Sequence, residues 1–273
     1  GTGLRLTIPD GYFSEFDQVM GLLMRTHRPK RVIFAMDTNI FTRSPDGVTG
    51  AMPGYLYDAN PVNDAKYLLN KDVLYYSLYA LMCQRWGQGE TLDEGFSWDN
   101  TVWWNHMTAL EEYQRPDIAA EQMPENGLLA DTAKNLAVVT RWAETYPDVE
   151  FDLFLSPYSI LYWDKIGRTG ETDAVFAALK LACETLLPYE NITLHGLLFD
   201  REIIEQLDYY CDYVHHSAEA GELVLDKIRS GADLLTAENY QEILANWRDF
   251  VVNYDYDKFW DETYWLQFHT AAS

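Results

Sequence analysis

The stretch Arg31-Val-Ile-Phe-Ala-Met36, which runs into Asp37-Thr38-Asn39, decides the fold class. Five of its first six residues are apolar, and such uninterrupted runs are typical of strands buried on both faces, as in parallel sheets. Further strands are predicted at 149–155 and 192–199, with helix-like segments between them. Alternation of buried strands with helices predicts an α/β fold built on a parallel sheet.

Helices and one further strand are predicted around these runs. Residues 4–8 alternate like a short strand and end in a turn at 9–11. The helix at 218–230 is the best marked, because Ser217 is a good N-cap and Gly231 stops it. The other helices are predicted at 14–27, 65–86, 131–146, 172–187, 237–252 and near 256–262. No repeat or linker divides the chain, so we expect one domain over 1–273.

Composition narrows the class of protein. The chain has 273 residues, 48% of them hydrophobic, which suits one large core. Its net charge of −23 offers no basic stripe for phosphates, which argues against nucleic acid and anionic lipid as partners. The three cysteines have no C-x-x-C spacing, which excludes a disulfide framework and a zinc ribbon. We predict neither a cofactor nor a metal ion.

Polar clusters follow the predicted strands. In open α/β sheets the ligand site lies at the carboxyl ends of the strands, so these clusters are expected to meet at one edge. They are Pro9-Asp10-Gly11, Asp37-Thr38-Asn39, Ser156-Pro157-Tyr158-Ser159, and the loop that carries Asp212 and His215.

The pair Asp212 and His215 is the clearest candidate for chemistry. An Asp three residues before a His can hold one imidazole nitrogen and leave the other as a base. With 6 histidines in the chain, about half of one such pair is expected by chance, so the position beside the strand ends carries the argument.

A D-x-x-H pair before the last packing helix resembles the SGNH/GDSL hydrolase superfamily. Three segments resemble bacterial envelope members of that superfamily, near the proteins of alginate acetylation and teichoic-acid D-alanylation. These segments are YLYDANPVNDAKYLLNKD at 55–72, SPYSILYW at 156–163 and DYVHHS at 212–217. The resemblance spans roughly 4–260. It implies a three-layer, flavodoxin-like parallel sheet with helices on both faces.

The resemblance also implies roles for individual residues. His215 would be the general base and Asp212 its orienting carboxylate. Gly11 would donate a backbone N–H to the oxyanion, and Asn39 stands where the superfamily has a side-chain amide donor. The sequence Asp37-Thr38-Asn39 departs from the usual Gly-x-Asn-Asp, which leaves Asp37 as the alternative residue here. Ser156 and Tyr158 complete the expected substrate-binding edge.

The expected nucleophile is missing from this pattern. The superfamily places a serine in a Gly-x-Ser turn after its first strand, and no such turn follows a predicted strand here. The strand at 4–8 corresponds best to the second one, so we expect the nucleophile strand upstream of Gly1. We therefore expect these 273 residues to hydrolyse simple acetyl esters poorly.

Several candidates have competing interpretations. Asp212 and His215 could be a hydrogen-bonded pair at a helix start, and Cys211 a buried thiol or a nucleophile. Asp208, Asp212, His215 and His216 could bind a metal, although no third histidine supports this. Ser156 or Ser159 could be alternative nucleophiles. The aromatic residues Trp98, Trp103, Trp104, Trp260, Tyr264 and Trp265 could stack on sugars, but packing onto the domain is the favoured interpretation.

The leading hypothesis is an extracytoplasmic, envelope-associated SGNH-like esterase or O-acyltransferase. Its substrate would be an acylated carbohydrate or polymer, a polysaccharide or teichoic acid, and a membrane-bound acyltransferase would be a partner. The alternative is an inactive module of the same fold that binds a glycan or a membrane acylation partner. A third hypothesis is a cytoplasmic α/β enzyme unrelated to this superfamily.

Overall fold

The computed structural model describes residues 6–8, 10–48, 53–58, 60, 62–86, 102–261 and 264. These residues belong to two compact units. Residues 1–28 and 46–102 form unit 1, and residues 29–45 and 103–273 form unit 2. Whether the chain behaves as one domain, as its sequence predicts, stays a prediction.

Unit 2 is built on a four-stranded sheet with the strand order β1-β2-β3-β4. The strands are β1 Arg31–Met36, β2 Glu150–Leu155, β3 Ile192–His195 and β4 Leu234–Leu235. The first three are parallel, with Met36 opposite Leu155 and Phe154 opposite His195. This confirms the α/β class. The sheet is mixed, however, because β4 pairs antiparallel with β3.

The helices agree largely with the sequence pattern. They are α1 Phe13–Thr26, α2 Thr38–Phe41, α3 Ala65–Leu68, α4 Lys71–Arg85, α5 His106–Glu112, α6 Leu129–Thr145, α7 Ile160–Arg168, α8 Thr172–Leu186, α9 Arg201–Ile204, α10 Ala218–Ser230 and α11 Tyr240–Val252. The single helix predicted at 65–86 is two helices, because Asn70 starts a new one by accepting a hydrogen bond from the N–H of Asp72 at 2.8 Å.

Three other predictions are corrected. The strand expected at 192–199 ends at His195 and continues as a 3-10 turn, Leu197–Phe199. The segment near 256–262 is a 3-10 helix, Asp257–Trp260. The strand expected at 4–8 is absent from its described part, 6–8. There the carbonyl of Ile8 accepts a hydrogen bond from the N–H of Gly11, so the chain turns.

The core of unit 2 surrounds β2. Phe151, Leu153 and Leu155 are almost completely buried, as expected of a strand with neighbours on both sides. Helices α6 and α8 pack against each other, and their buried faces are apolar. Val224 and Ile228 of α10 pack in a separate small cluster with Leu197 and Ile203. This cluster packs α10, the helix that follows the Asp212–His215 loop, against the rest of unit 2.

A buried ion pair fixes the segment after α11. The guanidinium of Arg115 binds both oxygens of Asp164, at 2.7 and 3.1 Å, and Tyr113 donates to the same carboxylate. Arg115 also pairs with Asp257 and lies 4.2 Å from the ring of Trp260. Trp260 thus contacts Arg115 although it is 38% exposed, and Trp103 is 79% exposed. Trp98 and Trp265 lie outside the described residues.

Candidate functional site

Asp212 organises the loop in front of α10. One of its oxygens accepts the backbone N–H groups of Val214 and His215, at 2.8 and 2.7 Å. The other lies 2.6 Å from Nδ1 of His215. A carboxylate at this distance orients the imidazole and fixes the tautomer in which Nδ1 carries the proton and Nε2 the lone pair. The predicted pair is therefore formed.

The pair shifts the pKa of both of its members. The hydrogen bond to Asp212 outweighs burial and raises the pKa of His215 above its ordinary value, with the charges of Asp212 and Asp37 adding to the effect. Burial alone would raise the pKa of Asp212, but the hydrogen bonds from His215 and Val214 outweigh it and lower that pKa. Each partner thus favours the charged form of the other.

Hydrogen bonds attach the Asp212–His215 loop to the turn that follows β2. The carbonyl of Tyr213 accepts two hydrogen bonds from Ser159, one from its N–H at 3.1 Å and one from its hydroxyl at 3.0 Å. The hydroxyl of Tyr210 donates to the carbonyl of Pro157 at 2.6 Å, and Tyr210 is fully buried. The residues at 156–159 and the Asp212–His215 loop therefore lie side by side, as the sequence predicts.

Asp37 lies at the carboxyl end of β1, at the start of α2. Its carboxylate accepts hydrogen bonds from the hydroxyls of Ser156 and Tyr158. Burial raises the pKa of Asp37, and these hydrogen bonds and the charges of His216 and His215 offset only part of that rise. The strand ends of β1 and β2 and the histidine loop thus converge around one carboxylate.

Asn39 takes part through its backbone. The hydroxyl of Tyr158 is bonded to the backbone of Asn39 as well as to Asp37. Burial and the nearby charge of Asp37 raise the pKa of Tyr158 well above its ordinary value, so this phenol stays protonated. The predicted amide role of the Asn39 side chain stays a prediction.

Gly11 belongs to unit 1. Its N–H donates to the carbonyl of Ile8 at 3.1 Å. Its proposed role as an oxyanion donor stays a prediction.

From the sequence, His216 is expected to be an exposed or capping neighbour of His215, with a second base and a metal ligand as the alternatives. Its Nδ1 lies 3.1 Å from the carbonyl of Ser217, which makes Nδ1 the protonated nitrogen. A Cβ on Gly221 would lie 3.7 Å from its ring, so the ring packs on the first turn of α10. Burial lowers the pKa of His216. The site therefore contains one imidazole biased towards the charged form and one biased towards the neutral form.

The competing interpretations of the cluster can be judged individually. Burial raises the pKa of Cys211 to about 11, with a further contribution from the charge of Asp212, which matches a buried thiol and not a nucleophile. Asp208 pairs with His106, whose Nδ1 lies 2.7 Å from its carboxylate. This second Asp–His pair joins residues about a hundred positions apart, so no local spacing could reveal it. Over the described residues, no group of three or more His, Cys, Asp or Glu is placed to hold a metal ion.

A groove of about 510 Å³ lies elsewhere, between α8 and α11. Phe176, Tyr240 and Leu244 form its apolar part, and Arg248 at its rim pairs with Asp173 at 2.6 Å. None of the predicted site residues lines it. Within the part of the chain described here, no helix is both long and apolar enough to span a bilayer.

Comparison of the chain with known protein-family models, with curated proteins and with solved structures gives no match.

Proposed function

We propose that the chain is an SGNH-like esterase or O-acyltransferase domain that acts on acyl groups of an envelope polysaccharide or teichoic acid. The observation that carries this proposal is the 2.6 Å contact between Nδ1 of His215 and Asp212, beside Asp37 and the carboxyl ends of β1 and β2. A flavodoxin-like arrangement with helices on both faces is part of the proposal. So is an extracytoplasmic location, where such substrates lie.

The proposed chemistry is a two-step acyl transfer. The proposed nucleophile is a serine hydroxyl, which attacks the acyl carbonyl while Nε2 of His215 takes its proton. The ester bond to the carbohydrate then breaks, and the protonated imidazole returns the proton to the departing oxygen. In the second step water or another hydroxyl gives its proton to His215 and attacks the acyl carbonyl; the acyl–serine bond breaks, and the imidazolium returns that proton to the serine oxygen.

The remaining residues would assist these steps. Asp212 holds the tautomer and stabilises the imidazolium that forms. The side-chain amide of Asn39 is the proposed donor to the oxyanion. Tyr158, whose hydroxyl donates to Asp37, holds that carboxylate at the edge where the substrate would bind.

A second candidate is an inactive module of the same fold that binds a glycan or a membrane acylation partner. The hydrogen bond of Ser156 favours this candidate. The Ser156 hydroxyl donates its proton to the carboxylate of Asp37 and not to an imidazole, so it is not activated as a nucleophile.

The test uses p-nitrophenyl acetate and a fluorophosphonate probe on two proteins: residues 1–273 and the full-length gene product. We expect poor turnover by the shorter protein, and labelling of one serine and turnover by the full-length one. His215→Gln should reduce that turnover by about 10²–10⁴-fold, the contribution of a general base. His106→Gln is the matched control, because it also removes a histidine paired with an aspartate but lies outside the site.

The outcomes separate the candidates. Turnover that survives His215→Gln at the wild-type rate contradicts the proposed mechanism. A full-length protein that is folded but neither labelled nor active contradicts acyl transfer and supports the binding module, which titration with acylated and deacylated oligosaccharides would then examine.

A further inference from the structure

The helices α3 and α4 expose an unusual amount of apolar surface. Not one residue of α4 is buried. Eleven large side chains between 67 and 86 are 43–77% exposed. They are Tyr67, Leu68, Leu69, Leu74, Tyr75, Tyr76, Leu78, Tyr79, Leu81, Met82 and Trp86. We call this set the α4 surface. Patches of this kind, beyond a few hundred Å², mark sites of interaction in soluble proteins.

The arrangement of these residues excludes two simple explanations. A surface helix normally keeps one polar face towards water, but the exposed Leu, Tyr and Met side chains of α4 occupy more than one face. A helix of 15 residues is about 22 Å long, which is short of the ~30 Å hydrocarbon core of a bilayer. A helix that is apolar on most sides is normally covered by other protein.

Charge distinguishes the α4 surface from the rest of the chain. Between 65 and 86 there are three cations, Lys66, Lys71 and Arg85, against one carboxylate, Asp72. The whole chain carries a net charge of −23. Two copies of such an acidic molecule repel each other over most of their surface. At the α4 surface the excess of negative charge is missing, and apolar contact is available.

The exposed area is sufficient for a stable contact between copies. Eleven large side chains at about half exposure or more present on the order of 1,000 Å² of surface. A standard interface needs roughly 800 Å² from each partner. An apolar patch is also self-complementary, which a two-fold dimer requires because both subunits use the same residues.

We propose that the α4 surface is the interface of a homodimer, in which α3 and α4 of one copy pack against α3 and α4 of a second copy. A bilayer surface fits less well, because helices that lie on membranes have one apolar face and an opposite basic face. This inference stands independently of the proposed function, because it uses no residue of the acyl-transfer site.

Sedimentation velocity of the purified chain over a wide range of concentrations tests the proposal. We expect a reversible monomer–dimer equilibrium. Leu78→Glu places a charge in the middle of the α4 surface and should raise the dissociation constant about thirtyfold or more, the effect of losing an interfacial hot spot. Leu78→Ser is a second variant that adds no charge. Both substitutions are at a residue 61% exposed, so the fold should survive, as far-UV circular dichroism will show.

The matched control is Val252→Glu, which puts the same charge on another exposed apolar residue, in α11. It should dimerise like the wild type. A wild-type chain that is monomeric at every concentration overturns the proposal. So does a dimer that Leu78→Glu and Leu78→Ser leave unchanged. Monomers that float with phosphatidylcholine–phosphatidylglycerol vesicles in an α4-dependent way also overturn it and assign the surface to a membrane.

Discussion

At the scale of single residues, Asp212 makes three hydrogen bonds within its loop. Two backbone N–H groups donate to it and fix the backbone, and the third bond orients the ring of His215. The spacing D-x-x-H was enough to predict the pair because all these partners lie within three residues. The neutral bias of His216 and the pairing of His106 with Asp208 were not predictable, because the first arises from burial and the second from a contact across the fold.

The shifted pKa values of Asp212 and His215 define the pH range in which this pair stabilises the folded protein. The folded pKa of His215 is raised, so its contribution is complete below its ordinary pKa of 6.5 and is lost as the pH rises through the folded value. The folded pKa of Asp212 is lowered, so its contribution is present above its ordinary pKa of 3.8 and is lost as the pH falls through the folded value.

Asp212→Asn should therefore lower the free energy of unfolding by about 1–2 kcal/mol between these limits, since hydrogen bonds to a charged group are lost. Urea denaturation as a function of pH measures this. The Cε1 proton of His215 should titrate at lower pH in Asp212→Asn than in the wild type. An unchanged titration would mean that Asp212 does not control this imidazole.

At the scale of elements, the long periodic helices and the parallel strands were predictable, whereas α5, α7 and β4 were not. α7 begins directly after the Ser156–Ser159 turn, in a segment for which the sequence pattern predicted no element. β4 has only two residues. It pairs antiparallel because the chain makes a tight turn after α10, where Gly231 and Asp233 have positive φ. No periodic pattern can be detected over so short a segment.

Two glycines should respond oppositely to alanine. Gly221 lies inside α10, and an added Cβ would meet the His216 ring at an ordinary 3.7 Å. Gly221→Ala should raise the free energy of unfolding by about 0.5–1 kcal/mol through helix propensity.

Gly170 has φ +76°, and an added Cβ would lie 2.7 Å from the carbonyl oxygen of Glu121. Gly170→Ala should lower the free energy of unfolding by about 2 kcal/mol or more. Urea denaturation of both variants tests the pair. A loss of stability in Gly221→Ala would show that the ring of His216 cannot adjust to a methyl group.

At the scale of the whole molecule, the α/β class was predictable because the order of apolar runs reflects the order of strands. The division into two compact units was not, since unit 1 consists of two segments that flank 29–45, and no change of composition marks their boundaries. The exposure of α4 was hidden for a related reason. An apolar segment in a sequence is normally taken for core, and only its position in the fold shows that it faces solvent.

The net charge of −23 should make stability depend on salt. Screening reduces the repulsion among like charges more than it weakens the scattered surface ion pairs, because the negative charges are in large excess. The melting temperature should rise by a few degrees between about 20 mM and 500 mM NaCl at neutral pH. Differential scanning calorimetry measures this, and a fall would mean that the ion pairs dominate.

The carbonyl of Tyr213 has a consequence for how the site keeps its shape. Because both hydrogen-bonding groups of Ser159 hold this one oxygen, the histidine loop is attached to the turn that ends β2. A strand in the middle of a sheet is among the last parts of a protein to open. We therefore expect His215 to be less mobile than other loop residues, and in hydrogen exchange its loop should open together with the end of β2.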